Sequence, residues 1–281
     1  MSDEGFPVVF GICLDAEALW TNKVPVGSHR PVLFSHGRYA LHEGLEPLLA
    51  LLSTHGIRAS FFVPGITADN YPDALRRIQD HGHELGSHGM HHVTPTGMER
   101  SEERRELVEG IEAVARAVGQ RPISWRSPSW EITESTLGLL SEAGVEISAN
   151  FQDRSRPYLH PAVGSSVPIV ELPVHWHLAD APYFLYGGLP GRVIRPASDA
   201  ERVWREEFDG LLADRPGSFF HLTLHVQLIG HPGRLRMLDR LIAHMRGQGP
   251  VRFLTCKDLA DEARQDLTAA TTGRAGSVGG C

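Results

Sequence analysis

Residues 7–17 read Pro7-Val8-Val9-Phe10-Gly11-Ile12-Cys13-Leu14-Asp15-Ala16-Glu17, an apolar run that ends in carboxylates. A strand apolar on both faces, rather than on alternate positions, is what a parallel sheet covered on both sides requires. Phe219-Phe220-His221-Leu222-Thr223-Leu224-His225 repeats the pattern and ends in an imidazole. Further strands are predicted over Ala59–Val63, Glu84–Ser87, Ser124–Arg126, Val145–Ala149, Ile169–Val174 and Arg252–Thr255. Helices are predicted over Glu43–His55, Pro72–His81, Ser101–Val118, Thr133–Ala143, Ala200–Ala213 and Arg234–Arg246. Gly56, Gly82, Gly119 and Gly144 follow helix ends, where a left-handed residue commonly closes the last turn. Strands alternating with helices imply parallel pairing through helical crossovers. The expected fold is α/β, a distorted (β/α) barrel of seven or eight mostly parallel strands in one domain over residues 1–267.

Two stretches fit no element. Trp20–Ala40 and Asp180–Ser198 are punctuated by Gly and Pro and read as long loops over one end of the sheet. The Ala/Thr/Gly-rich tail 268–281 reads as disordered.

Composition narrows the function classes. The chain has 281 residues, 41% hydrophobic and 22% charged, the balance of an ordinary globular domain. A formal net charge of −7 argues against a nucleic-acid binder, which concentrates basic residues on one face. Lys23 and Lys257 are the sole lysines among 27 basic residues, a bias toward arginine that points to GC-rich bacterial coding. Cys13, Cys256 and Cys281 are widely spaced and odd in number, which fits a reducing compartment better than a disulfide framework. With no signal-peptide pattern and no membrane-spanning apolar run, the expected location is the cytoplasm, away from membranes.

Four strand ends carry chemistry. The segment Gly82-His83-Glu84-Leu85-Gly86-Ser87-His88-Gly89-Met90-His91-His92 places His88 and His92 four apart beyond a strand, where a turn can bring both imidazoles to one ion. His221 and His225 share that spacing but lie along a strand, about 13 Å apart, too far to share a ligand. Asp15 ends the first strand, and strand C-terminal ends are where barrel enzymes place reactive groups. Trp125-Arg126-Ser127-Pro128-Ser129-Trp130 puts a guanidinium and an indole at a third strand end, and His225 closes a fourth. Each has a bland reading as well: a loop-capping Asp, a surface Arg, a core Trp, a structural His.

Taken in order, strand–Asp, strand–His-x-x-x-His, strand–Arg-x-Pro and strand–His, the chain resembles the polysaccharide deacetylase family, carbohydrate esterase family 4. The resemblance runs from about Val8 to Leu259 and is strongest toward a branch with allantoinase-like and intracellular peptidoglycan-deacetylase-like members. It rests on Cys13-Leu14-Asp15-Ala16-Glu17, Phe61-Phe62-Val63-Pro64-Gly65, Gly82 to His92, and Leu224-His225-Val226 leading to Gly230-His231-Pro232. The resemblance implies one divalent metal ion held by Asp15, His88 and His92, zinc first, with cobalt, nickel or manganese as alternatives. It implies that Arg126 orients a catalytic base, that the turn at Trp130 offers a backbone N–H to an oxyanion, and that His225 protonates a leaving amine. It further implies a homo-oligomer. Two-His, one-carboxylate coordination leaves room for water at the ion, as hydrolysis requires.

The departure is at Cys13, where the family has an acidic base; Val226 likewise stands where a Pro is usual. Either Glu17, Glu84 or the Cys13 thiolate takes the proton, or Cys13 is an inert strand thiol and hydrolysis is lost. The sequence thus supports a metal-dependent hydrolase of a non-peptide C–N bond in a small amide or N-acyl substrate, with Glu17, Trp130 and Trp176 toward the substrate. The alternative is an altered member, an isomerase, a cyclase or a silent binding protein. His175 and His177 flank Trp176 and are candidates for the same pocket.

Overall fold

The computed structural model describes residues 5–21, 29–161, 167–186 and 193–275, with side chains as far as residue 267. The strands are β1 (Phe6–Cys13), β2 (Ser60–Val63), β3 (Glu84–Ser87), β4 (Ser124–Trp125), β5 (Ile147–Ser148), β6 (Tyr158–Leu159), β7 (Val170–Glu171), β8 (Phe220–His225) and β9 (Val251–Leu254). The helices are α1 (Ala18–Thr21), α2 (Pro31–Tyr39), α3 (Leu45–Thr54), α4 (Gly65–Asn70), α5 (Pro72–Asp80), α6 (Arg100–Val118), α7 (Thr136–Glu142), α8 (Ala181–Phe184), α9 (Ala197–Asp214), α10 (Val226–Ile229), α11 (Pro232–Gly247) and α12 (Cys256–Ala275).

Among the described residues one nine-stranded sheet runs β6-β7-β5-β4-β3-β2-β1-β8, with β9 added against β1. All pairings are parallel except β6 with β7. This is the curled, mostly parallel half-barrel that the strand–helix alternation predicts. The edge strand β6 escapes sequence reading because it is two residues long and pairs antiparallel after a loop.

Register sets the site. Cys13 pairs across to Phe62 on one side and to His225 on the other, while Val63 pairs with Ser87 and Ser87 with Trp125. The C-terminal ends of β1, β2, β3, β4 and β8 therefore lie side by side. The residues just past or at those ends are Asp15, His88, Arg126 and His225.

Side-chain alternation along β1 separates two packed layers. Val8, Phe10, Ile12 and Leu14 join the larger core, under helices α3, α9 and α11. Val9 and Cys13 point the other way, into a second core with Phe62, Ile147, Val170 and Leu172. Between them Gly11 presents no side chain, and the gap is filled by a fully buried guanidinium: a Cβ built on Gly11 would lie 2.4 Å from Arg126 Nη2. Glycine at position 11 is thus what admits Arg126 to the interior.

Three sequence expectations change. Trp20–Ala40 is not a loop throughout, since α1 and α2 occupy parts of it; residues 22–28 lie outside the described residues. Gly37 of α2 packs so closely that an added Cβ would sit 2.3 Å from the Ala16 carbonyl oxygen. Asp180–Ser198 likewise contains α8 and the start of α9, with residues 187–192 outside the description. Helix α12, which packs against β1, β5, β6, β7 and β9, extends past Thr268, where the sequence reading began its tail; Cys281 lies outside the described residues. Among the described residues no helix is long and apolar enough to cross a membrane.

Candidate active site

Asp15 is completely buried, and its Oδ1 accepts no hydrogen bond. That oxygen faces His88 Nε2 and His92 Nε2, each 3.7 Å away. Its partner Oδ2 accepts from Gln227 Nε2 at 3.3 Å and lies 3.9 Å from His225 Nε2. His88 is oriented by its other ring nitrogen: Nδ1–H donates to the Arg126 carbonyl at 2.7 Å, leaving the Nε2 lone pair toward Asp15. That arrangement, with the far N–H tied to a backbone carbonyl, is how metal-binding imidazoles are usually fixed. A buried carboxylate oxygen with no donor, facing two imidazole nitrogens, that of His88 with a lone pair to give, fits a divalent cation among them. The Sγ of Cys13, a carboxylate oxygen of Asp15 and an imidazole nitrogen of His88 also lie within 4.8 Å of one another.

Arg126 sits beside this group. Its Nη1 donates to the Gly11 carbonyl at 3.2 Å and to Cys13 Sγ at 3.9 Å, and its Nη2 donates to His221 Nε2 at 2.9 Å. The guanidinium lies over the Phe62 ring, 4.2 Å from the centroid. Among the described residues no carboxylate forms an ion pair with it. His221 accepts from Arg126 as a neutral ring, since burial and the adjacent guanidinium both hold its pKa well below the ordinary value. Its Nδ1–H donates to the Pro173 carbonyl at 3.1 Å.

His225 carries a partner that sequence reading missed. Asp180 Oδ1 accepts from His225 Nδ1–H at 2.6 Å, and Asp180 Oδ2 accepts from the His225 backbone N–H at 2.8 Å. Burial opposes charge on His225, but Asp180 and then Cys13 outweigh it, and the pKa stands well above the ordinary value. Burial likewise disfavours the Cys13 thiolate, yet His88 and His225 overcome it and bring the thiol down to about 6. Asp15 is held below its ordinary range despite burial, by His92, His225 and His88.

Positive backbone φ angles on residues other than glycine gather at this end of the sheet: Ala16 (49°), His92 (58°), Ser129 (57°) and Trp130 (59°). Such conformations cost roughly 1–3 kcal/mol each and persist where surrounding structure enforces them, as at functional sites. The turn 127–130 is held by a buried relay. Ser127 N–H donates to Asn150 Oδ1 at 2.7 Å, Asn150 N–H donates to Glu171 Oε1 at 2.7 Å, and Glu171 Oε2 is 3.0 Å from His160 Nε2.

Above the group opens a cavity of about 540 Å³. Cys13, His88, His92, Arg126 and His225 form its floor, and Trp130, Trp176, Leu185 and Arg195 stand around it. The two indoles are tilted against each other with centroids 4.3 Å apart. Glu17 does not line it: its Oε1 accepts from the Tyr71 hydroxyl at 2.8 Å and pairs with Arg38 at 3.5 Å. Glu84 is at the opposite strand end, accepting from Ser60, Ser124 and the Lys257 backbone N–H, and is removed from consideration as a base. The Trp130 N–H is taken by the Ser127 carbonyl at 3.0 Å within the turn. Of the 175–177 segment only Trp176 lines the cavity; His175 contacts the Arg154 carbonyl and His177 pairs with Glu207.

A solved structure from Mycobacterium smegmatis, described as a polysaccharide deacetylase, is 31% identical to this chain, with a TM-score of 0.89 over 95% of this chain and 93% of its own. The chain belongs to the polysaccharide deacetylase family. The model of that family, Polysaccharide deacetylase, matches residues 33–148. The peptidoglycan deacetylase of Helicobacter pylori is 25% identical over 91% of this chain and 95% of its own length. A Puue allantoinase has the same fold, with a TM-score of 0.80 at 22% identity over 91% of this chain and 89% of its own.

Within this deacetylase-family chain, Asp180 and Gln227 are among the candidate-site residues that sequence reading did not single out. Gln227 lies two positions past His225, so the signal was at hand in Val226-Gln227 following an imidazole-ended strand. Asp180 opens the stretch read as a loop, and only the Ala179–Thr223 bridge reveals that the chain there runs beside β8.

Proposed function

We propose that the protein is a metal-dependent hydrolase of a non-peptide C–N bond, a deacetylase or amidohydrolase acting on a small amide or N-acyl substrate. The observation that carries this reading is the buried Asp15 Oδ1, donorless and 3.7 Å from two imidazole nitrogens. Asp15, His88 and His92 would hold the cation, zinc before cobalt, nickel or manganese. A divalent ion bound there supplies Lewis acidity, bringing water's pKa toward 7 and polarising an acyl carbonyl.

The remaining tasks fall to the chain. His88 is kept in the ligating tautomer by the Arg126 carbonyl. His225, protonated at Nδ1 against Asp180, keeps its Nε2 proton for the leaving amine. Trp130, Trp176 and Leu185 cover the reacting group and thin out water around it. Among the described residues the lining contains Arg126, Arg195 and imidazoles but no carboxylate, so the cavity favours neutral or anionic substrates. A volume of about 540 Å³ is that of a small-molecule site.

The test is elemental analysis of the purified chain together with acetate or amine release from a panel of small acetamides, N-acyl amino acids and cyclic amides. About one ion per chain and turnover of a panel member are expected, both lost in His88→Ala with His92→Ala. Full metal occupancy in that double variant removes the assignment. A second reading, a member repurposed or silent as a hydrolase, is favoured by Cys13 standing where the family has its acidic base. Hydrolysis appearing in Cys13→Asp and absent from the wild type, at equal metal occupancy, would establish it.

A further inference from the structure

We propose that Cys13 is itself a ligand of the cation, so that the centre is a Cys13–Asp15–His88–His92 set rather than one carboxylate with two imidazoles. The proposal rests on the metal-hydrolase reading and sharpens it.

Three ligand atoms define the set directly. Cys13 Sγ, a carboxylate oxygen of Asp15 and a ring nitrogen of His88 lie within 4.8 Å of one another, and all three residues are buried. His92 Nε2 joins through Asp15 Oδ1 at 3.7 Å. The grouping follows from the strand: residues two apart in an extended chain project to the same face, which sends Cys13 and Asp15 together toward the ends of β3 and β8. Parallel pairing then sets Cys13 level with His225, and His88 follows β3 directly.

Charge balance points the same way. A completely buried guanidinium is costly without an anion nearby. Among the described residues Arg126 donates to a carbonyl, a neutral imidazole and Cys13 Sγ, and of these only the sulfur can carry negative charge. The sulfur at position 13 lies within reach of both the guanidinium and the Asp15–His88 pair.

The chemical consequence concerns which metal is accepted. Carboxylate and water ligands suit magnesium, calcium and manganese, whereas thiolate favours zinc and related softer ions. A cysteine in the shell turns a permissive oxygen–nitrogen site into one selective for zinc. Cys256 offers no such role: it is buried at the far end of the sheet, its backbone N–H donating to Ser60 Oγ.

The experiment is cobalt titration of the full-length chain after chelator treatment, read by absorption. Wild type should take up one Co²⁺ per chain and develop an intense sulfur-to-cobalt charge-transfer band in the near ultraviolet. Cys13→Ser and Cys13→Ala should still bind Co²⁺ through the other residues but lose that band, and should bind Zn²⁺ roughly tenfold or more weakly. A variant with Cys256→Ser and Cys281→Ser should keep the band. Stoichiometric Co²⁺ in the wild type without the band, or an undiminished band in Cys13→Ser, overturns the proposal while leaving the metal-hydrolase reading intact. A wild type that binds no Co²⁺ or Zn²⁺ overturns both.

Discussion

Asp180 grips His225 at two points, accepting from Nδ1–H at 2.6 Å with one oxygen and from the backbone N–H at 2.8 Å with the other. The ring cannot turn without breaking the first contact, and the strand end cannot shift without breaking the second. One buried carboxylate thus fixes both where the imidazole sits and which nitrogen faces the cavity.

Replacing Asp180 by Asn should lower kcat by about 10²-fold or more, within the range general acids contribute, with a smaller change in KM. The sign of the pH effect follows from the pKa. Asp180 raises the pKa of His225, so its protonated form persists above the range of an ordinary imidazole. Without that negative charge the proton is lost at lower pH, and the alkaline limb of kcat/KM should move down. A pH–rate profile with an unmoved limb would show that His225 is not the acid.

Gly11→Ala should damage the site from within the sheet. The new methyl would fall 2.4 Å from Arg126 Nη2 and 2.8 Å from His221 Nε2, displacing a fully buried guanidinium. Overpacking of this kind costs about 1–3 kcal/mol. A lowered urea midpoint together with at least tenfold lower activity is expected; wild-type values for both would remove Arg126 from its assigned place.

Arg195 reports on the substrate. It stands on the cavity lining without a carboxylate partner among the described residues. If acidic N-acyl compounds are the substrates, Arg195→Ala should raise KM for them about tenfold and leave neutral acetamides unaffected. Equal changes for both classes would assign Arg195 to structure alone.

At the opposite strand end, His83 should make stability acid-sensitive. Its Nδ1 accepts the Ala59 backbone N–H at 3.1 Å, and burial, with His81 and Arg58 nearby, lowers its pKa to about 4. The unfolded chain binds that proton near 6.5, so between about pH 6.5 and 4 unfolding takes up protons and stability falls as pH falls. Urea midpoints at pH 7 and pH 5 should separate more for the wild type than for His83→Gln, whose amide oxygen still accepts from Ala59. Equal separation would contradict the assignment.

Much of this candidate centre is readable along the chain because most of its residues stand at or just past the end of a strand that the sequence predicts. Asp15, His88, Arg126 and His225 announce themselves by where their strands stop. Asp180 does not, because the signal lies in a pairing with a residue 45 positions away. Helix α2 is hidden for a different reason: only Gly37 of it is buried, so it lacks the apolar periodicity by which helices are recognised. Glu17 misled through its neighbours in sequence. The positive φ at Ala16 turns the chain just before it and sends its carboxylate to Tyr71 and Arg38, off the cavity.

Arg126 divides its duties between main chain and side chain: the carbonyl steadies His88, while the guanidinium attends to position 13. The two tasks are mechanically independent. A substitution at residue 13 alters what the guanidinium meets, while the main-chain contact that steadies His88 is made elsewhere. Position 13 is thus where one replacement would alter what the buried guanidinium meets, with the backbone around it left in place.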